Sequence, residues 1–156
     1  MVLYSIFELD QTLVGVPISC ILEIPKSTTF YNVKGAPTVI DGVINHKGKI
    51  VPVLNLGLAF KSAKVQEDEE SRIYIFKNNE ELSEVADSVH VENFPDDNIG
   101  LHVEKIHDVL EIEDSELSPV PSNMRHPFYQ HVVRKNDEFI IVLKLSKLLV
   151  LNQTLD

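Results

Sequence analysis

The residues of this chain that could carry chemistry are few and lie on predicted strands and turns. Lys47 stands beside Gly48 at a predicted hairpin tip, where a lysine could be the modified residue of a swinging-arm carrier domain. Glu23 could be a catalytic carboxylate and Cys20 a nucleophile. However, Lys47 lacks the acidic or methionine neighbours of carrier sites, and no histidine and carboxylate arrangement accompanies Cys20. We therefore expect no catalytic residue, and a self-contained ligand-binding domain or a lysine-modified carrier domain stays open as an alternative.

The six histidines raise the question of a metal site. His102 and His107 are five positions apart, as are His126 and His131, and this spacing places two strand side chains on opposite faces. His46 has no cysteine nearby. No glycine-rich loop that could cradle a phosphate occurs either. The sequence therefore predicts neither a metal nor a cofactor.

The charge and composition restrict the class of partner. The chain has 156 residues, is 44% hydrophobic and carries a formal charge of -10, which would be repelled by nucleic acid and by anionic membranes. Tryptophan is absent, a single cysteine excludes an internal disulfide, and no apolar run approaches 18 residues. We expect a cytoplasmic protein that binds no nucleic acid and does not insert into a membrane.

The elements that would position these residues are short strands. Residues 3–9 alternate as a half-buried strand does, and residues 39–54 form the clearest hairpin, with its tip running from Asn45 to Gly48. Gly48 supplies the positive φ that such a turn commonly needs. Pro17 lacks an amide donor, which predicts an edge strand or a bulge at that position.

The segments between the strands are polar. Residues 61–71 are typical of a solvated linker, and residues 77–98 form an acidic insertion that we predict to be a short helix or a loop. Ser146 is a candidate cap for a closing helical turn. The helical face of the insertion would consist of Leu82, Val85, Ala86 and Val89.

An internal repeat organises the chain. The pattern of residues 14–24 recurs 85 positions later, parts of residues 43–56 recur 89 positions later, and residues 3–6 have a weaker echo 70 positions later. The repeat and the short strands predict an all-β fold, with two small barrels side by side, about five strands in each copy and short helical turns. Neither copy would bury much apolar area alone, so the two would stabilise each other.

The repeat also sets the predicted domain boundaries. We expect one domain over residues 1–156, divided into a first subdomain at about 10–66 and a second at about 70–150. The terminal strands could cross between the two. Two similar modules leave a groove between them, which is an arrangement suited to binding.

One long motif resembles a known family. Residues 35–56 resemble the signature of CheW-like domains, approximately A-P-x-x-I-x-G-V-I-N-L-R-G-x-I-V-P-V-x-D-L. Residues 100–106 resemble the G-L-x-V-D-x-V segment of the second half, and residues 140–149 resemble the closing segment. The resemblance implies two five-stranded SH3-like barrels and a non-enzymatic adaptor of bacterial chemosensory arrays.

The resemblance also implies partners and sites. The adaptor would couple the cytoplasmic tip of a chemoreceptor to the regulatory domain of a CheA-type histidine kinase, and would be recruited to membrane-associated arrays. Ile21 would be an apolar contact in the receptor-binding groove, with Gly42 near it. Glu23 and Lys47 would form the charged pair of its wall. Asn45 and Gly48 would shape the turn.

Four positions depart from the family pattern. His46 stands where the family usually has leucine, and Lys47 replaces an arginine, which loses a planar fork for gripping a carboxylate. Asn55 replaces an aspartate, and His131 replaces a glycine of the second hairpin. The departures predict an altered receptor contact. A pilus-motility pathway or another chemosensory pathway fits as well as flagellar chemotaxis.

Overall fold

The computed structural model describes residues 2–26, 29–84 and 94–150. Ten strands make up most of this structure, and its helices are short. The strands are β1 Val2–Leu9, β2 Thr12–Pro17, β3 Ile21–Glu23, β4 Ile40–His46, β5 Lys49–Asn55, β6 Arg72–Phe76, β7 Gly100–Val103, β8 Lys105–Ile112, β9 Tyr129–Lys135 and β10 Glu138–Leu143. The α-helices are α1 Leu56–Ala59, α2 Asn79–Ser83 and α3 Leu145–Leu148, and 3-10 turns occupy Ile18–Cys20, Asp114–Glu116 and Ser122–Met124.

The strands form two five-stranded sheets, which confirms the predicted all-β class. We call the sheet with the order β8-β1-β2-β10-β9 the terminal sheet, because it holds both ends of the described chain. The sheet with the order β3-β6-β7-β5-β4 is the central sheet. Each strand of one sheet has its equivalent in the other sheet five strands further along the chain, counting on from β10 to β1. With this replacement the two strand orders are identical. The repeat seen in the amino acids is therefore a repeat of sheet topology.

The two copies exchange strands. Each sheet takes two strands from one copy and three from the other, and the exchange is sealed by two parallel pairs, β2 with β10 and β5 with β7. The register is equivalent in both pairs, since Gly15 lies opposite Val142 and Gly100 lies opposite Val53. The sheets consequently do not follow the boundaries 10–66 and 70–150: residues 2–17 belong with the second half, and residues 72–103 belong with the first.

Tight turns of one kind connect three of the hairpins. Each has two central residues with positive φ, as type I′ turns require, because their twist matches that of the flanking strands. The central pairs are Asp10 and Gln11, Lys47 and Gly48, and Asn136 and Asp137.

Three hydrophobic clusters fill the described structure. One lies inside the terminal sheet around Tyr4 and Ile6, and one inside the central sheet around Ile44 and Val53. The largest joins the two sheets and includes Phe7 from one and Tyr74 from the other. We call the region of this cluster the seam. Most of the apolar burial therefore depends on both sheets being present, which agrees with the expectation that neither copy is stable alone.

Three local expectations need correction. Pro17 ends β2, which lies in the middle of the terminal sheet and not at its edge. Pro17 lies beyond the residues of β2 that pair with β10, so its missing N–H interrupts none of that pairing. Ser146 lies inside α3 and is not its N-cap residue. That residue is Lys144, whose side chain makes no capping hydrogen bond. The linker at 61–71 is solvated only in part, because Val65 is buried in the seam cluster.

The acidic insertion begins with a helix, as predicted. Asn78 and Glu81 form a capping box at the start of α2, and Leu82 is buried on the seam. The other members of the predicted helical face, Val85, Ala86 and Val89, lie outside the described residues. None of the helices in the described ranges is long and apolar enough to cross a membrane.

Candidate functional site

An ion-pair cluster closes the central sheet between its two edge strands. Glu23 ends the edge strand β3, and His46 ends the opposite edge strand β4. The Nε2 atom of His46 lies 2.8 Å from Oε2 of Glu23, and Nζ of Lys47 lies 3.6 Å from the same oxygen. The predicted pair of Glu23 and Lys47 is therefore present as a contact. The shorter contact with His46 was not predicted. We call Glu23, His46 and Lys47 the clasp.

The β4–β5 turn presents the lysine of the clasp. Lys47 and Gly48 have φ values of 51° and 85°, and the side chain of Asn45 accepts a hydrogen bond from the Gly48 N–H at 3.0 Å. This places Asn45 and Gly48 as the shaping residues of the turn. The Lys47 side chain is 78% exposed, whereas that of His46 is 13% exposed. The turn therefore directs a cation to solvent and an imidazole toward the protein.

Gly42 lies where another segment crosses β4. Its φ is 154°, and a Cβ built on it would lie 2.7 Å from the carbonyl oxygen of Tyr31. Tyr31 exchanges two backbone hydrogen bonds of 2.9 Å with Val43, so this segment is fixed against the strand. A side chain at position 42 would push it away. Glycine is thus required here by backbone packing, and its part in a receptor groove stays a prediction.

Ile21 lies at the boundary between core and surface. It pairs with Phe76 in the central sheet, is half-buried and packs against the seam cluster. The adjacent Leu22 is 38% exposed. Ile21 and Glu23 are on the same short strand, so an apolar side chain lies on the edge strand that carries the carboxylate of the clasp.

Exposed apolar side chains lie on the outer face of the β4–β5 hairpin. Ile50 is 65% exposed and sits opposite Asn45 in the hairpin register, while Tyr31, which pairs with Val43, is 56% exposed. Scattered apolar residues on a surface are ordinary, but grouped ones mark sites of protein contact. The hairpin therefore combines a charged tip with an apolar flank.

A buried polar network that the sequence analysis missed supports this hairpin from behind. Nδ1 of His102 donates to Oδ2 of Asp41 at 2.6 Å, and Nδ2 of Asn55 donates to the same oxygen at 3.0 Å. Nζ of Lys64 lies 3.6 Å from the other oxygen. Burial raises the pKa of Asp41, but the hydrogen bonds from His102 and Asn55 and the nearby positive charge outweigh it, so the pKa lies below its ordinary value.

At position 55 an amide side chain makes more hydrogen bonds than a carboxylate could. Its Oδ1 accepts from the N–H groups of Leu58 and Val65, while its Nδ2 donates to Asp41 and to the carbonyl of Val65. An aspartate could make only the two acceptor contacts. The departure at position 55 was the signal in the sequence that a hydrogen-bonding partner such as Asp41 lies nearby.

The terminal sheet carries a second histidine–carboxylate contact. Nε2 of His107 lies 2.9 Å from Oε2 of Glu138, and Nδ1 lies 3.7 Å from Oε2 of Glu8. His107 is on the edge strand β8, and Glu138 follows the β9–β10 turn. Here the edge strand β8 supplies the imidazole, and β10, the strand next to the opposite edge, supplies the carboxylate.

A shallow groove of about 600 Å³ lies beside β9. Its lining combines apolar residues with Arg125, His126 and His131, and among the described residues that line it none is acidic. The ring centroids of His126 and Tyr129 lie 5.0 Å apart, and the ring planes are tilted by 34°. Burial lowers the pKa of His126. The other lining residues are Leu117, Pro119, Val120, Pro127 and Gln130.

Cys20 is an inert core residue. Its side chain is fully buried in the seam cluster, and burial raises the pKa of the thiol to about 11. The thiolate that nucleophilic chemistry needs is therefore not formed near neutral pH.

Comparison with known proteins identifies the fold as well as the motif. The family model of the CheW-like domain matches residues 4–153. The chain belongs to the CheW-like domain family.

Individual relatives agree with this assignment. The chemotaxis protein CheW of Helicobacter pylori is 21% identical over 137 residues, which cover 86% of this chain and 73% of that protein. The CheW of Treponema pallidum is 23% identical over 147 residues, covering 91% and 78%. The crystal structure of the scaffolding protein TtCheW from Thermoanaerobacter tengcongensis has a TM-score of 0.79 at 26% identity, and the match covers 98% of this chain and 95% of that one.

Membership in a family of scaffold and adaptor proteins changes how the site is interpreted. The clasp contains the pair of Glu23 and Lys47 that the resemblance predicted, but His46 lies closer to Glu23 than Lys47 does. His46 and Asn55 both depart from the family pattern. His46 makes an ion-pair contact that a leucine could not make, and Asn55 donates hydrogen bonds that an aspartate could not donate. Both departures from the family pattern therefore add polar contacts to the structure.

Proposed function

We propose that this CheW-like domain is a non-enzymatic adaptor that couples chemoreceptors to a CheA-type histidine kinase. The observation that carries the proposal is that the half-buried Ile21 lies on the same edge strand, β3, as Glu23 of the clasp. A helical receptor tip could place an apolar side chain against Ile21 and a polar one against the exposed clasp. Gly42 keeps the crossing segment close to β4.

An adaptor needs a second surface for its second partner. The groove beside β9 belongs to the terminal sheet and therefore does not compete with the edge that carries the clasp. Its apolar lining and its cationic Arg125 suit an apolar surface with acidic groups at its rim. We assign it to the regulatory domain of the kinase. Binding each partner on a different sheet would fix their spacing in a repeated array.

The adaptor acts in the cytoplasm, at receptor arrays on the membrane. Its net charge of -10 opposes direct contact with anionic lipid, so recruitment goes through the receptor. Two small interfaces of this kind have affinities around the micromolar range, and avidity in the array strengthens them.

The test is reconstitution of receptor-dependent kinase activity. Receptors in membranes and the kinase, both from the same organism, are combined with the wild-type domain, with Lys47→Glu or with no domain, and phosphorylation of the kinase is followed. Wild type stimulates the kinase in the presence of receptor, and Lys47→Glu does not, because the charge at the exposed end of the clasp is reversed. Equal kinase activity with and without the wild-type domain would reject the adaptor function.

The alternative of a lysine-modified carrier predicts a different measurement. Lys47 is exposed on a tight turn, as a carrier lysine must be. A carrier domain purified from its native host would show a covalent adduct on Lys47 by intact mass and peptide mapping. The adaptor would show the unmodified mass.

A further inference from the structure

The two partners of Glu23 in the clasp are not equivalent. Nε2 of His46 lies 2.8 Å from Oε2 of Glu23, whereas Nζ of Lys47 lies 3.6 Å from it, which exceeds hydrogen-bond length. His46 is 13% exposed and Lys47 is 78% exposed. An exposed ion pair at this distance stabilises little, because water and salt screen it and the lysine loses rotamer freedom.

We propose that His46 is the positioning residue that holds Glu23, and that Lys47 is thereby offered to a carboxylate on the docking receptor tip. This inference rests on the proposed function and names the chemistry of its contact. The usual pairing of the family motif joins the carboxylate to the turn cation. In this chain the imidazole replaces that cation, and the lysine becomes a determinant of receptor choice.

The backbone explains why the histidine takes this position. His46 is the last residue of β4 and lies on the same strand face as Ile44, which is fully buried. Its ring is therefore directed toward the sheet interior, where Glu23 closes the opposite edge. Lys47 has a φ of 51° in the turn that follows, and its long side chain leaves the sheet. His46, whose ring is directed into the sheet, and Lys47, whose side chain is directed to solvent, are thus consecutive residues.

The surroundings of Lys47 indicate the chemistry of the partner surface. The turn also presents the exposed Lys49, and Ile50 next to it is 65% exposed. Lys49 lies close enough to Glu81 to contribute to the lowered pKa of that carboxyl, so Lys47, which is 78% exposed beside Ile50, is the cation that the tip directs to solvent. A helix that carries an acidic residue close to an apolar residue is complementary to this tip.

The terminal sheet supplies a matched control. His107 and Glu138 make an imidazole–carboxylate contact at 2.9 Å in the terminal sheet, and neither central residue of the adjacent turn, Asn136 or Asp137, is cationic. Removing the His107 side chain should remove a histidine–carboxylate contact between two strands while leaving every lysine in place. His107→Leu therefore separates loss of a closure from loss of a receptor contact.

The experiment combines thermal unfolding with binding of a soluble receptor-tip fragment at low and high salt. His46→Leu and His107→Leu should each lower the Tm by roughly 1 to 3 °C. Lys47→Met should leave the Tm within about 1 °C of wild type but weaken receptor binding about fivefold at low salt, with a smaller salt dependence. His46→Gln, which keeps a donor for Glu23, should restore the Tm, and Lys47→Arg should restore binding.

Two results would overturn the inference. One is a Tm loss in Lys47→Met as large as that in His46→Leu, which would make the lysine the holder of Glu23. The other is unchanged affinity and salt dependence in Lys47→Met while wild type binds. If wild type itself binds no receptor fragment, the proposed function and the docking role of Lys47 both fail, whereas the order of Tm values still decides whether His46 holds Glu23.

Discussion

His102 and Asp41 form a buried hydrogen-bonded pair in the central sheet, with 2.6 Å between Nδ1 and Oδ2. The two side chains are 3% and 7% exposed. Asp41 immediately precedes Gly42, and His102 is on β7, the strand that leads toward the terminal sheet. The pair therefore ties the hairpin of the clasp to the middle of the sheet. It is also a place where stability should depend on pH.

The first prediction concerns the charge of Asp41. Asp41→Asn should reduce the free energy of unfolding by about 2 kcal/mol at pH 7, since His102 and Asn55 lose an ionised acceptor in a buried site. The pKa of Asp41 is lower in the folded protein than its ordinary value of 3.8. Its ionised form thus stabilises the fold above that value, and the contribution is lost as the pH falls through the folded pKa.

Urea unfolding of both proteins between pH 7 and pH 3 measures this effect. The other carboxyl groups are common to the two proteins, so the difference in free energy isolates position 41. The gap should be largest at neutral pH and should shrink at the acidic end. A gap that stays constant over the whole range would show that the charge of Asp41 contributes nothing.

The second prediction concerns Gly42. Gly42→Ala should destabilise the protein by more than 2 kcal/mol, because its φ of 154° disfavours a side chain and the new Cβ would meet the Tyr31 carbonyl oxygen at 2.7 Å. Gly35→Ala is the control, because its φ of 84° is also unfavourable but no atom lies within 4 Å of the added Cβ. It should cost about 1 kcal/mol. Equal losses in denaturant unfolding would contradict the role of the crossing segment.

The third prediction concerns the amide of Asn55. Asn55→Asp should cost about 1 to 3 kcal/mol at neutral pH, because it removes the donor to Asp41 and places a second carboxylate within 3.0 Å of it. Asn45→Asp is a suitable comparison, since Asn45 uses its Oδ1 to accept from Gly48 and an aspartate keeps that acceptor. It should leave the free energy nearly unchanged. A stable Asn55→Asp protein would show that the donor is dispensable.

The fourth prediction concerns the seam. Ser5 Oγ and Tyr74 Oη are 2.7 Å apart across the two sheets, and burial raises the pKa of Tyr74 to about 12, so its hydroxyl stays protonated. Tyr74→Phe and Ser5→Ala should each cost about 1 kcal/mol, and the double variant should cost less than their sum. Additive losses would mean that the two hydroxyl groups do not stabilise each other.

The fifth prediction separates the two docking surfaces. Arg125→Glu should weaken kinase binding several-fold while leaving receptor binding intact, because it reverses the cation of the groove beside β9. Lys47→Glu should have the opposite pattern. Pull-down of each partner, with the Tm as a check of folding, measures both. Loss of both partners in both variants would argue for a single shared surface.

Much of the local structure was predictable because it depends on residues close together in the chain. Alternation of apolar residues identified the strands, and Asn45 with Gly48 identified a turn, since turn geometry is decided within four residues. The repeat predicted two five-stranded units, and the family resemblance predicted a pair between Glu23 and Lys47. The inert character of Cys20 followed from its apolar surroundings.

Only the tertiary structure decided which copy completes which sheet and which donor reaches Glu23. The parallel pairs that exchange strands join residues far apart, such as Gly15 and Val142, and no periodicity in either segment specifies the partner. His102 and Asp41 are 61 positions apart and meet because β7 lies beside β5 and β5 beside β4. His46 approaches Glu23 more closely than Lys47 does. The backbone of His46, the last residue of its strand, is fixed by pairing with β5, whereas the side chain of Lys47 on the turn extends into solvent. Amino-acid type limits which contacts are chemically sensible, and packing of the whole chain selects among them.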